Sequence, residues 1–293
     1  TDSVSCNTGS DGSATVFPSG GVGNYTYLWS GGQISQTASN LSAGIYSCDI
    51  TDGNGCLLTV INIEILEPDV LVVTASHTDI TCFGDGDGTA IVNVTGGTLP
   101  YSYFWSPGNQ NTASASGLIA DTYSCTVIDA NNCPSVTSNP VTVIEPSPVT
   151  STFSTDSVSC NGGSDGSATV FPSGGVGNYT YLWSNNQTSQ TASNLSAGIY
   201  SCDVLDGNGC TITVSNIEIL EPLAITYTFS TDSVSCNTGS DGSATVFPSG
   251  GVGNYTYLWS NNQTSQTATG LSPGTYTCTI TADNGCPSIT TLV

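Results

Sequence analysis

The sequence predicts an all-β chain of tandem β-sandwiches, and three observations carry that expectation. The text repeats: TDSVSC begins at Thr1, Thr155 and Thr231, and a looser copy, HTDITC, begins at His77, so the starts lie 76, 78 and 76 residues apart. Clusters of Gly, Pro, Asn and Asp punctuate short runs rich in Val, Ile, Thr and Tyr, which is the pattern of strands and turns. No window sustains a helical period. Units of this length, each with about seven short strands, fit a small sandwich.

The elements of one unit follow in order. Tyr25-Thr26-Tyr27-Leu28-Trp29 alternates with period two, which puts Tyr25, Tyr27 and Trp29 on one face and Leu28 on the other. Read as core, the aromatic face is not a sugar platform, and Leu28 is the residue a partner would meet. In Tyr46–Ile50 the same period sends Tyr46, Cys48 and Ile50 inward and Ser47 and Asp49 outward. Asp52-Gly53-Asn54-Gly55 then makes a hairpin loop, because Gly and Asn tolerate positive φ. Across that loop Thr51 is expected to face Cys56, and Cys48 to face Thr59. The next strand carries Leu58 and Val60, then Ile63 and Ile65, and this switch of parity predicts a bulge.

Glu67-Pro68, Glu145-Pro146 and Glu221-Pro222 close successive units. The residues after each Pro, such as Val70–Ala75, read as the next unit's first strand. The expected domains are therefore residues 1–68 (first strand missing), 69–146, 147–222 and 223–293 (last strand truncated). With almost no linker between them, and Pro fixing its own φ and restricting its neighbour, the sandwiches are expected to be arranged as a stiff rod. Units one and three share DGNGC and NIEILEP, and units two and four share Cys-Pro-Ser at Cys133 and Cys286.

Composition excludes whole classes of function. The chain of 293 residues holds 22 Asp plus Glu and no Lys or Arg, where ordinary usage would give about 35 basic residues. Without cations it cannot neutralise nucleic-acid phosphates, attach to anionic lipid, or use a Lys or Arg in catalysis. No apolar run approaches the ~20 residues of a membrane span, so neither nucleic acid nor membrane insertion is expected. Twelve Cys in an acidic, Ser- and Thr-rich chain point to an oxidising, extracellular setting.

The order Val4-Ser5-Cys6-Asn7, Ser10-Asp11-Gly12-Ser13, Gly20-Gly21, Tyr25-Thr26-Tyr27, Trp29-Ser30, Leu41-Ser42-Ala43-Gly44, Tyr46 and Asn54-Gly55-Cys56 resembles the SprB repeat, and the resemblance covers the chain in four copies. That repeat occurs in very large gliding-motility adhesins and other surface proteins of the Bacteroidota. The resemblance implies immunoglobulin-like or PKD-like sandwiches, export by the type IX system, and a role in surface adhesion or in a surface filament. Cys48 and its equivalents depart from the family, which mostly has an apolar residue or Thr there.

Each unit has three Cys, which leaves one thiol over within a unit. The favoured pairing is Cys6–Cys56, with Cys82–Cys133, Cys160–Cys210 and Cys236–Cys286 in the other units. It closes a loop of about 50 residues, worth roughly 3–4 kcal/mol in the chain-entropy model. The rival is Cys6–Cys48, because Tyr46 precedes Cys48 as the immunoglobulin tyrosine corner precedes its second Cys. Under the favoured pairing Cys48, Cys125, Cys202 and Cys278 are spare thiols, read as small buried hydrophobes. No C-x-x-C spacing supports zinc.

Gly84-Asp85-Gly86-Asp87-Gly88 resembles part of a calcium loop, so Asp85 and Asp87 are candidate weak calcium ligands. The full loop pattern with its final Glu is absent, and a tight turn is the plainer reading. No other cofactor is expected. Asn-x-Ser/Thr triplets occur in number and are weak signals in so Ser- and Thr-rich a chain. Asp-Ser-Val at Ser3, Ser157 and Ser233 is similar to the O-glycosylation motif of the Bacteroidota. The lone His77 beside Asp79 lacks a nucleophile-elbow motif and three of the four copies, and no enzyme is expected. The expected function is an extracellular, surface-displayed adhesin or stalk segment. Its expected partners are neighbouring repeats, surface glycans or abiotic surfaces, and identical chains if it forms a filament. The alternative is a self-assembling filament subunit with strands exchanged between molecules.

Overall fold

The computed structural model of the chain describes residues 1–286 and 289–292. It divides into two compact units, Thr1–Pro146 and Ser147–Val293. Each unit holds two immunoglobulin-like sandwiches, one per repeat, and among the described residues there is no helix.

Repeat 3 shows the complete pattern. Its first sheet pairs Thr150–Asp156 with Gly166–Ser173 and that with Thr191–Leu195. Its second sheet pairs Thr180–Trp183 with Gly198–Leu205 and that with Thr211–Ile219. Every pairing is antiparallel. Strands one, two and four thus face strands three, five and six. Repeat 4 repeats the arrangement from Thr226–Asp232 to Ile289–Leu292. Six strands, rather than about seven, suffice because the Gly-rich segment before Tyr179 and the segment around Cys160 form turns. In repeat 2 the sixth strand is split into Val136–Thr137 and Val141–Val143. Pro140 sits in the gap, and the Asn139 side chain spans it, accepting from Ala75 N at 2.8 Å and donating to Ala75 O at 3.1 Å.

The core of each repeat is built around one Trp. Trp29, Trp105, Trp183 and Trp259 are at most 2% exposed. Burying the ring requires a partner for its N–H, and Trp183 Nε1 donates to Ser189 O at 2.8 Å, with the same bond in the other repeats. The tyrosines close the ends: Tyr200 Oη donates to Ser196 O and Tyr179 Oη to Gly174 O. At Gly166 the two sheets approach closely, since a Cβ there would lie 2.7 Å from Ile219 Cγ2 and 3.0 Å from Leu195 O.

The expected bulge is present. Tyr46 faces Ile63 but Cys48 faces Val60, and Asn62 takes up the extra residue with φ 59°. The hairpin register is one residue off expectation, because Thr51 faces Leu57 and Cys48 faces Val60 rather than Thr59. The cause is the Asp52 carboxylate. It caps Cys56 N at 2.8 Å while Asp52 N donates to Cys56 O at 3.0 Å. Cys56 thereby closes the loop instead of starting the ladder.

Repeat 1 has only two strands in its first sheet, Gly12–Thr15 and Thr37–Leu41, with an isolated bridge from Asp2 to Ser13. Where Thr150–Asp156 covers repeat 3, repeat 1 has an open cleft of about 840 Å³ lined by Val16, Phe17, Leu58, Val60 and Ile63. Ile217 is fully buried, whereas the equivalent Ile63 is only half-buried.

Replacing Trp183 by Ala should lower stability by about 3–5 kcal/mol, and Gly166→Ala should cost about 1–3 kcal/mol by overpacking. Urea unfolding followed by Trp fluorescence or circular dichroism checks both. An unchanged midpoint for Gly166→Ala would show that the close approach is relieved without cost.

Candidate functional site: the inter-repeat junction

The chemistry-bearing residues of this chain converge where one repeat meets the next. Two local structures build the junction. The first is the turn at the first Cys of a repeat. In repeat 1, Gly9 N donates to Cys6 O at 2.9 Å, and Asp11 holds the turn from within, accepting from Ser5 N at 2.9 Å and from the Ser5 hydroxyl. The closing Glu-Pro is tied to the same turn: Thr8 N donates to Glu67 Oε2 at 2.8 Å and Asn7 Nδ2 to Pro68 O at 3.1 Å. Repeat 3 has the same contacts: Ser159 N donates to Asp165 Oδ1, Asn161 Nδ2 to Pro222 O and Gly162 N to Glu221 Oε2. The N–H and hydroxyl donors of the turn need an acceptor, and the repeated spacing from Ser to Asp supplies a carboxylate.

The second structure is the loop before the third Cys. Asp129 is buried, with Oδ1 accepting from Cys133 N at 2.9 Å and Oδ2 from Thr98 N at 3.0 Å. Asp52 and Asp206 hold their loops in the same way. In repeat 4 the Asp is displaced by one position, and Asp283 Oδ2 accepts from Asn254 N at 3.0 Å.

The two structures meet across consecutive repeats. Cys6 bonds Cys133 with a Cα–Cα distance of 5.5 Å, and Cys160 bonds Cys286 at 5.3 Å. Beside the first bond Asn131 Nδ2 donates to Ser5 O at 2.8 Å, and beside the second Asn284 Nδ2 donates to Ser159 O at 2.6 Å. A junction is therefore a disulfide plus an amide-to-carbonyl hydrogen bond, both offered by one loop to one Ser-Cys step.

This corrects the expected pairing. Cys6–Cys56, Cys82–Cys133, Cys160–Cys210 and Cys236–Cys286 do not form, since Cys133 and Cys286 are taken by Cys6 and Cys160, while Cys56 and Cys236 are free and exposed. The rival Cys6–Cys48 does not form either. The reason is polarity along the last strand. The Cys6 turn is tied to Glu67 and Pro68, beyond the end of Leu57–Ile65, and Cys56 precedes its start. Such a strand spans about 30 Å at ~3.3 Å per residue, whereas a disulfide needs Cα atoms within ~7 Å. The turn and the loop lie at opposite ends of one sandwich, so they can meet only between sandwiches. Each of the two bonds closes a separation of 126 or 127 residues, worth roughly 5 kcal/mol in the chain-entropy model.

Cys48, Cys125, Cys202 and Cys278 are free and fully buried in the four cores. Desolvation pushes each of these thiols up from its ordinary pKa. Asp87 is a turn-capping carboxylate that accepts from Thr81 N at 2.9 Å, equivalent to Asp11, and Asp85 is exposed beside it. Among the described residues no group of three or more His, Cys, Asp or Glu could hold a metal ion. Ser3, Ser157 and Ser233 are exposed. His77 Nε2 lies 3.5 Å from Asp79 Oδ1, and Asp79 Oδ1 also accepts from Ile144 N. Among the described residues no helix is long and apolar enough to cross a membrane.

The SprB repeat family model matches residues 1–34, 74–110, 152–188 and 228–264. The chain belongs to the SprB repeat family. Each match ends shortly after the buried Trp, so it contains the Ser-Cys turn and its Asp but not the loop of the third Cys. Among solved structures, the chain is similar to three N-terminal domains of the bacteriophage RB49 highly immunogenic outer capsid protein, with 15% identity, 76% of this chain and 97% of that chain covered, and a TM-score of 0.35. It is also similar to Sidekick-1 immunoglobulin domains 1–5, with 11% identity, 100% and 77% covered, and a TM-score of 0.26. A third is the N-terminal four immunoglobulin domains of Dscam1 isoform 8.4, with 12% identity, 100% and 96% covered, and a TM-score of 0.25. No curated protein matches the chain. As four SprB repeats, it is a repetitive segment of cell-surface, adhesin type, carrying disulfides suited to an oxidising exterior.

Two outcomes follow from the junction chemistry. Under native conditions a thiol reagent should modify Cys56 and Cys236 and leave Cys48, Cys125, Cys202 and Cys278 untouched until denaturant is added, as peptide mapping would show. The second concerns pH. Hydrogen bonds from the Ser or Thr hydroxyl and backbone N–H hold Asp11, Asp87, Asp165 and Asp241 below the usual carboxylate range. Asp52 and Asp206 are lowered by backbone N–H bonds, first from Val22 and Val176. A depressed folded pKa adds stability above the unfolded value of about 3.9 and loses it as pH falls through the folded value. The melting temperature should therefore be flat from neutral pH to about 5 and fall below about 4, with a shallower fall in Asp165→Asn.

Proposed function

We propose that this SprB-repeat chain is a stalk or adhesin segment that mediates surface attachment or gliding-type adhesion by multivalent display. One observation supports the reading above the rest. The residue before each buried Trp is a large apolar side chain left exposed: Leu28 at 54%, Phe104 at 52%, Leu182 at 48% and Leu258 at 53%. Each lies on the strand that carries the Trp, which is an edge strand of its sheet. A single exposed hydrophobe is ordinary. The same position repeated four times offers weak contacts that add through linkage.

The targets are surface glycans and abiotic surfaces, the chain acts by binding without turnover, and export to the cell surface runs through the type IX system. Glycans on Ser3, Ser157 and Ser233 would add to the outer face. A second reading, strand exchange in a filament, is favoured by the open cleft of repeat 1, where the edge at Gly12–Thr15 is met only by the bridge from Asp2 to Ser13 and has room for a strand from another molecule.

Retention on hydrophobic and glycan-coated sensor surfaces tests the first reading. Changing Leu28, Phe104, Leu182 and Leu258 together to Ser should lower retention far more than any single change does. Equal retention by the quadruple variant and the parent would sink it. Ordered fibres of the fully reduced chain, seen by electron microscopy, would favour strand exchange instead.

A further inference from the structure

Cys56 and Cys236 are the two halves of a junction that the chain makes elsewhere and leaves open here. At Cys56 the loop is the one that Cys133 and Cys286 use. Asn54 stands two residues before the Cys, as Asn131 and Asn284 do, and Asp52 caps Cys56 N at 2.8 Å, as Asp129 caps Cys133 N at 2.9 Å. At Cys236 the turn is the one that Cys6 and Cys160 use. Gly239 N donates to Cys236 O at 2.8 Å, and Ser235 N donates to Asp241 Oδ1 at 3.0 Å, so the Ser235 carbonyl occupies the place of Ser5 O and Ser159 O. Both thiols are free and exposed.

We propose that Cys236 of one molecule and Cys56 of a second copy form an intermolecular disulfide, completed by a hydrogen bond from Asn54 Nδ2 to the Ser235 carbonyl. The proposed occupant is a second copy because the half-site at Cys56 takes a Ser-Cys turn, and this same chain carries such a turn with a free, exposed thiol at Cys236. In each of the two junctions described above the partner of the loop is a turn. Since turn and loop lie at opposite ends of a sandwich, the contact is head-to-tail, and a head-to-tail contact that does not close into a ring propagates as an open chain. The redox balance is explicit. The two thiols give up two protons and two electrons to a low-molecular-weight disulfide, which is released as two thiols, and one S–S bond forms. The net charge of −22 opposes association at long range, and salt should promote it.

The test uses the purified full chain, oxidised glutathione and about 0.15 M salt, at which the Debye length is about 8 Å. Non-reducing electrophoresis should show a ladder of dimers, trimers and longer forms that collapses on reduction. Digestion with a Glu- or aromatic-specific protease should yield a linked peptide containing Cys56 and Cys236, the chain having no trypsin site. Cys56→Ser and Cys236→Ser should each stay monomeric alone, and their equimolar mixture should give a dimer and nothing longer. Asn54→Ala should slow the ladder by roughly fivefold, the effect of one hydrogen bond, with an unchanged melting temperature. A parent chain that stays monomeric, a Cys56–Cys236 link found within a monomer, or dimerisation of Cys236→Ser by itself would each overturn the proposal.

Discussion

The carboxylate-to-backbone hydrogen bond is the interaction on which both halves of the junction depend. A chain without Lys or Arg cannot pair an Asp with either cation, so its recurrent Asp residues are satisfied by N–H and hydroxyl donors. Asp11 and Asp165 pin the Ser-Cys turn, and Asp52, Asp129 and Asp206 pin the loop of the third Cys. Charge-assisted bonds of this kind are stronger than neutral ones, and they fix the backbone where a thiol must be aimed. If the turn or the loop were loose, the two sulfur atoms would have no preferred approach.

With both halves fixed, covalent chemistry does the rest. Two consecutive SprB repeats in a unit are joined twice, through the peptide at Glu-Pro and through the disulfide between turn and loop. The Glu side chain binds the same turn that carries the disulfide, so both connections converge on one small region. Sandwiches of this size bury a modest core. The four cores here are each organised by a Trp and a free, buried Cys, and cross-links between repeats add stability that the cores alone would lack. The thiols inside those cores play no part in this, because burial keeps them protonated and out of reach.

Much of this was legible from the residues. Period-two alternation placed Trp29, Cys48 and Ile50 inward and Leu28 outward, and a change of parity announced the bulge at Asn62. Those features depend on neighbours in sequence, where strand geometry leaves little freedom. The hairpin register was missed by one residue because the Asp52 side chain lengthens the loop, and a side chain that competes with the backbone for hydrogen bonds leaves no mark on apolar periodicity. The paired Asp85 and Asp87 suggested cation ligands, yet Asp87 is equivalent to Asp11 and caps a turn. Comparing the four repeats at that position, where Asp is constant and its neighbour is not, carried the signal.

The sequence by itself determined the all-β sandwich, the repeat, the family, the buried aromatic face and the extracellular chemistry, because each follows from local pattern and composition. It also supplied every atom of the junction, including the Asn two residues before each third Cys. Which Cys meets which was decided only in three dimensions. A strand of nine residues separates the two ends of a sandwich, and that length puts the turn and the loop of one repeat beyond reach of each other. The same distance directs each toward its neighbour, as Cys6 meets Cys133 and Cys160 meets Cys286.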